Sequence, residues 1–170
     1  EARMADRPIL FSAPMVRAIL AGSKTQTRRV LKRQPAAGQW AFTDRAYETG
    51  QQAAWIMDSD DYPVGDLVCP YGTAGDRLWV RETWRADSDH DDKPPRDISE
   101  GSHVWYEANR GLSAIRGLSR MGKLRPGMFM PRWASRITLE AIDVRVERLQ
   151  DISDSDSLAE GIVETHGGYG

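Results

Sequence analysis

Cysteine is nearly absent: Cys69 stands alone in 170 residues, which excludes an internal disulfide. The three histidines, His90, His103 and His166, fall at no metal-ligand spacing, so neither a zinc site nor any other metal or cofactor is expected. No apolar run reaches the roughly 18 residues of a membrane-spanning helix, and no basic-then-apolar leader is visible. The expectation is a soluble, cytoplasmic protein without a membrane partner. Acid is missing from one long stretch: seven basic residues and no carboxylate occupy 110–136, although the formal net charge of the whole chain is only -2.

Positive charge is therefore sorted rather than scarce. Residues 1–35 hold eight basic residues against Glu1 and Asp6, whereas 137–170 hold eight acids and two basic residues. Such blocks suit a phosphate-bearing partner, while a net charge near zero argues against a dedicated duplex binder. RNA in single strands, or a lone nucleoside or nucleotide, fits better. At 40% hydrophobic content the chain can build one core, so a single domain is expected over 8–165, with insertions at 34–66 and 86–102 and flexible ends at 1–7 and 166–170.

Pro8 to Phe11 reads as a short buried strand, followed by Ser12 as a helix cap, Pro14 in the first turn and Gly22 as terminator. Lys24 to Val30 reads as extended chain. The excursion at 33–66 is rich in Pro, Gly, Gln and Asp and leaves room for a hairpin. Arg77 to Trp84 alternates, with Leu78, Val80 and Glu82 on one face and Trp79, Arg81 and Thr83 on the other. Residues 86–102 are acidic and broken by Pro94 and Pro95, which predicts a mobile loop. His103 to Glu107 is a short strand, and 128–149 carries the longest β signal, its phase changing at Ala141-Ile142. Ser153 caps a last helix that Gly161 ends. The count of five or six strands and two helices favours an α+β fold with a mixed barrel.

The run Gly22, Lys24, Thr25, Thr27, Arg28, the turn and strand Gly75 to Val80, and the stretch from Leu149 to Ala159-Glu160-Gly161 resemble the ASCH family. Cys69-Pro70-Tyr71-Gly72 and Met130-Pro131-Arg132-Trp133-Ala134-Ser135-Arg136 are similar to the larger ASCH proteins of phages and prophages. The resemblance implies a PUA-like barrel with two short covering helices and a role with RNA or a modified nucleobase. Family members include an amidohydrolase that deacylates N4-acetylcytidine and others with ribonuclease activity. In the amidohydrolase branch a lysine, a threonine and a glutamate act together, which by motif position implies Lys24, Thr27 and Glu160 here. The larger members continue into a Trp-rich segment and a closing strand where this sequence ends at Gly170. A missing strand would leave an open sheet edge and invite self-association.

A threonine hydroxyl needs a base, and a lysine serves as one only when burial or a neighbouring cation such as Arg28 or Arg29 lowers its pKa. Each residue also has a plainer role. Lys24 just past a helix end favours the macrodipole by about 0.3 to 1 kcal/mol, and Thr27 has ordinary strand propensity. Glu160 is a local misfit near a negative helix terminus. In a regular strand Lys24 and Thr27 face opposite ways, so the triad requires Lys24 to sit in the irregular turn after Gly22.

A second group, Lys123, Arg125, Arg132 and Arg136, offers phosphate contacts together with Arg28 and Arg29, with Trp133 and Trp79 as surfaces on which a nucleobase can stack. Arg81 and Arg85 read first as solvated surface charge and secondly as additions to its rim. Phe129 and Trp133 also read as core residues, and alternation separates Trp133 from the arginines. The enzyme reading competes with a noncatalytic RNA-binding module, a ribonuclease, and a phage accessory protein that uses the fold as an interaction surface.

Overall fold

A computed structural model describes residues 5–31, 54–57, 63–67, 69–109 and 120–162. Seven short strands and two α-helices lie among them: β1 (Asp6–Leu10), α1 (Ala13–Leu20), β2 (Ala54–Met57), β3 (Pro63–Leu67), β4 (Arg77–Arg81), β5 (Trp84–Ala86), β6 (Val104–Tyr106), β7 (Thr138–Glu140) and α2 (Asp154–Ala159). The strands form one three-stranded sheet in the order β1-β4-β7 and two pairs, β2-β3 and β5-β6. The fold is α+β, as expected. The expected barrel is corrected, because the described strands do not close on themselves. No helix among the described residues is long and apolar enough to cross a membrane.

Two compact units emerge. The first comprises Glu1–Arg7, Arg28–Leu78 and Leu139–Ile152. Its antiparallel β2-β3 hairpin pairs Ala54 with Leu67, with an irregular register between Ile56 and Met57. The hairpin lies inside the excursion expected at 34–66, whose remaining residues fall outside the described ones. Buried Asp76 ties this unit together: its carboxylate accepts the backbone N–H of Ala5 at 2.9 Å and of Thr73 at 3.1 Å, with Arg7 Nε at 3.6 Å. Those two amides, helped by the Arg7 guanidinium, hold its carboxyl below the ordinary value against the opposing effect of burial. Residues 6 and 7, expected in a flexible end, belong to β1; the C-terminal end, 166–170, lies outside the described residues.

The second unit comprises Pro8–Thr27, Trp79–Thr138 and Ser153–Gly170. Trp84, Ala86, Ile98, Met130 and Ala134 form its buried cluster, with Val104, Tyr106 and Trp133 packed against it. The β5-β6 pair explains the choice of side chains, since Trp84 faces Tyr106 and Ala86 faces Val104 on the core side, leaving Arg85 opposite Trp105 on the other face. Helix α1 buries Val16 and packs on the 3₁₀ turn Glu107–Asn109, where Arg17 Nη1 donates to the Ala108 carbonyl at 3.5 Å.

Three local expectations are revised. The β signal at 128–149 yields only β7; Gly127–Phe129 and Arg132–Ala134 are 3₁₀ turns, each preceded by a proline that lacks the N–H a ladder needs. The acidic segment 86–102 is packed rather than free. It begins in β5, makes 3₁₀ turns at Ser88–His90 and Pro95–Asp97, and places Ile98 in the core at 3% exposure, an anchor that outweighs the polar composition around it. After Gly22 no regular strand forms; Lys24 makes a single antiparallel bridge, and it is to Glu160.

Candidate functional site

Two helix ends build the site, and both end in the same way. At α1 the Gly22 N–H reaches the Ile19 carbonyl and the Ser23 N–H reaches that of Ala18, both at 3.0 Å. At α2 the Gly161 N–H reaches the Leu158 carbonyl at 2.8 Å and the Ile162 N–H reaches that of Ser157 at 3.4 Å. Both are Schellman caps closed by a glycine in the left-handed region, with φ of 75° at Gly22 and 84° at Gly161. The first cap turns the chain so that Lys24 enters beneath the second. The Thr25 and Gln26 amides then donate to the Ala159 carbonyl at 2.8 and 2.9 Å, which satisfies a terminal carbonyl of α2. The start of α2 is equally local: Ser153 Oγ accepts from the Asp156 amide at 3.1 Å.

Lys24 is buried, its side chain only 2% exposed. Its ammonium donates to the Gln26 carbonyl at 2.7 Å, the Glu160 carbonyl at 2.8 Å and Glu160 Oε2 at 3.0 Å. An ammonium has three protons, and three acceptors take them. The Phe11 ring lies 5.9 Å away and closes the apolar side. This resolves the misfit of Glu160, because the cation sits where both the helix terminus and the carboxylate need it. Thr27, three residues on, is half-buried in irregular chain, and its Oγ1 is buried with no hydrogen-bond partner among the described residues. The irregular turn required of Lys24 is present. The structure thus joins Lys24 to Glu160 directly and, among the described residues, leaves the Thr27 hydroxyl unengaged three positions after Lys24.

The other expected residues disperse. Arg28 pairs with Glu147 at 3.0 Å, and Arg29 is exposed. Lys123 is exposed, while its backbone N–H donates to Asp91 Oδ1 at 2.7 Å. Arg125 is buried at 4% exposure, donating to the carbonyls of His90 at 2.5 Å and Lys93 at 3.2 Å, so it staples the acidic segment. Trp79 is 7% exposed, with Arg81 and Arg132 over its ring at 4.5 and 5.7 Å, which leaves little indole for a stacked nucleobase. Trp133 sets its edge against Trp84 at 6.4 Å, within the core. Arg132 itself is exposed.

Arg136 meets a partner that the charge blocks did not reveal. Glu82 is 1% exposed, and Arg136 grips it through Nε at 2.8 Å and Nη2 at 3.0 Å. The guanidinium lies 3.9 Å from the centre of the Tyr106 ring and donates through Nη1 to Asn109 Oδ1 at 3.1 Å. Burial raises the Tyr106 phenol above its ordinary value against the opposing charge of Arg136. The signal for this pair was a carboxylate, Glu82, in phase with Leu78 and Val80 on the core face of a strand. A cavity of about 100 Å³ opens beside this group, lined by Arg85, Trp105, Tyr106 and Asn109 among others, and Lys24 is not in its wall. Among the described residues no three His, Cys, Asp or Glu side chains gather as metal ligands. Comparison with family models, curated proteins and solved structures gives no match.

Proposed function

We propose that the chain is a PUA-like protein of the ASCH family that handles RNA or a modified nucleobase and hydrolyses the exocyclic amide of an N4-acylated cytidine. One observation carries this reading: a buried threonine hydroxyl without a hydrogen-bond partner among the described residues, three residues after a buried lysine that is paired with a carboxylate. Among the described residues Thr27 Oγ1 is one of seven buried side-chain polar atoms without a hydrogen-bond partner, and its place close to Lys24 in the chain is what suits it to a ligand. The resemblance described from the sequence supplies the substrate class.

The proton inventory sets the order of events. Of the three acceptors around Lys24, only Glu160 Oε2 can take a proton, so transfer to it yields a neutral amine and a neutral acid. The amine then accepts the Thr27 proton as Oγ1 attacks the acyl carbonyl. On collapse the C–N bond breaks, and the Glu160 acid protonates the departing cytosine nitrogen. Water next attacks the acyl ester on Thr27 and gives a proton to the Glu160 carboxylate, which returns it to Thr27 Oγ1 as the ester bond breaks. Free carboxylic acid and unmodified cytidine result, and every group returns to its starting state.

Incubation of the full chain with N4-acetylcytidine tests the proposal: cytidine forms with the wild type and not with Thr27→Ala. Absence of deacetylation, or full activity in that variant, overturns it. The second reading is a noncatalytic RNA- or nucleotide-binding module, favoured by the complete engagement of the Lys24 protons in the resting state. Salt-sensitive binding without turnover marks that outcome.

A further inference from the structure

We propose that the outer face of the β5-β6 hairpin is a separate site for a single nucleotide of an RNA strand, with Trp105 stacking the nucleobase and Arg85 meeting its phosphate. Arg85 and Trp105 are directly opposed across the two strands and point away from the core that Trp84 and Tyr106 occupy. Both are half-buried, and they line the cavity of about 100 Å³ together with Tyr106, Glu107, Asn109 and Met121. Pockets for whole drug-sized ligands hold roughly 300 to 1,000 Å³. This one suits a single planar ring.

The chemistry of the wall narrows the ring. Among the described residues Arg85 donates through Nη1 to the Gly122 carbonyl at 2.9 Å, which leaves the rest of its guanidinium to face an anion. The Trp105 indole is held edge-on by His103 at 4.3 Å, which pre-orders it. Asn109 gives its Oδ1 to Arg136, and the Glu82 pairing holds Arg136 in turn, so the amide N–H group is the end of Asn109 left to donate. A cation, a fixed ring and an amide donor around a one-ring hollow together match a nucleotide better than an apolar peptide side chain. No turnover at Thr27 is needed for this site to work.

The test is fluorescence anisotropy of a labelled oligocytidine with the full chain at low salt. Wild type binds, and Trp105→Ala weakens binding about tenfold, in line with stacking worth roughly 1 to 3 kcal/mol per nucleobase. Trp105→Phe, which keeps a ring, stays within about threefold of wild type, and Arg85→Gln lowers the salt slope by about 0.7, the value of one single-strand phosphate. The site is overturned if wild type does not bind, if Trp105→Ala binds like wild type, or if Trp105→Phe loses as much as Trp105→Ala. Oligocytidine carries no acyl group, so its affinity reads this site separately from deacylation.

Discussion

Lys24 and Glu160 stand 136 residues apart in the chain, yet the ammonium of one lies 3.0 Å from the carboxylate of the other. The ends of α1 and α2 are joined at that point by a charge pair and a backbone bridge, with the Thr25 and Gln26 amides donating hydrogen bonds to the Ala159 carbonyl.

The two partners are not equivalent. Lys24→Met removes all three bonds and strands a largely buried carboxylate, a change that costs about 3 to 5 kcal/mol when a buried pair is broken. Glu160→Gln keeps the Gln26 and Glu160 carbonyl contacts and offers a neutral acceptor, so a loss of about 1 to 2 kcal/mol is expected. Urea unfolding of both variants checks this, and equal losses would mean that the backbone acceptors contribute nothing.

Thr27 sets stability against activity. Valine has nearly the same shape, and replacing a buried hydroxyl that has no partner among the described residues removes a desolvation cost of about 1 to 3 kcal/mol. Thr27→Val is therefore expected to unfold at higher urea than wild type while losing deacylation. A destabilised variant would show that the hydroxyl has a partner in solution.

Gly161 and Gly22 form an internal comparison. Both have positive φ, but a Cβ at Gly161 would lie 3.0 Å from the Ala18 Cβ and 3.2 Å from the Lys24 Cβ, whereas nothing lies within 4 Å at Gly22. Gly22→Ala should cost about 1 kcal/mol from conformation alone, and Gly161→Ala should cost more by the clash. Thermal unfolding that ranks them the other way would remove the close packing of the two helix ends.

Asp76 makes the protein acid-sensitive. Its folded pKa lies below the ordinary 3.8, so its contribution is complete above that value and is lost as pH falls through the lower, folded one. Asp76→Asn should flatten stability measured from about pH 6 down to about pH 3, and it should be less stable than wild type at neutral pH. An unchanged acid profile would place the sensitivity on other carboxylates.

Ile98 decides whether the acidic segment is packed. Ile98→Ala should cost about 2 to 5 kcal/mol, as for a buried core residue, against near zero for a residue in a free loop. Urea midpoints distinguish the two.

Helix ends were legible because their signals are local. Gly22, and Ser153 and Gly161, act at the ends of α1 and α2 as read from residue type and Arg77 starts β4, whereas Ser12 holds the N-cap position of α1 without a side-chain hydrogen bond. The long strand at 128–149 was not legible as turns, since Pro126 and Pro131 act through missing donors that only the pairing geometry makes decisive. Of the basic residues expected to grip phosphate, Arg125 and Arg136 are spent on internal partners, His90 and Lys93 carbonyls for one and Glu82 for the other. A charge written along a chain carries no record of which distant acceptor will quench it.

What residue order alone determined is where the two helices begin and end and where β4 starts, because each depends on neighbours within a few positions and on the φ a residue can adopt. Tertiary structure decided which charges remain available: it buried Lys24 against Glu160 and Glu82 against Arg136, and it turned Arg85 and Trp105 outward together. Burial removes water as the alternative partner, so in this protein the meaning of a lysine or an arginine follows from what the fold brings beside it.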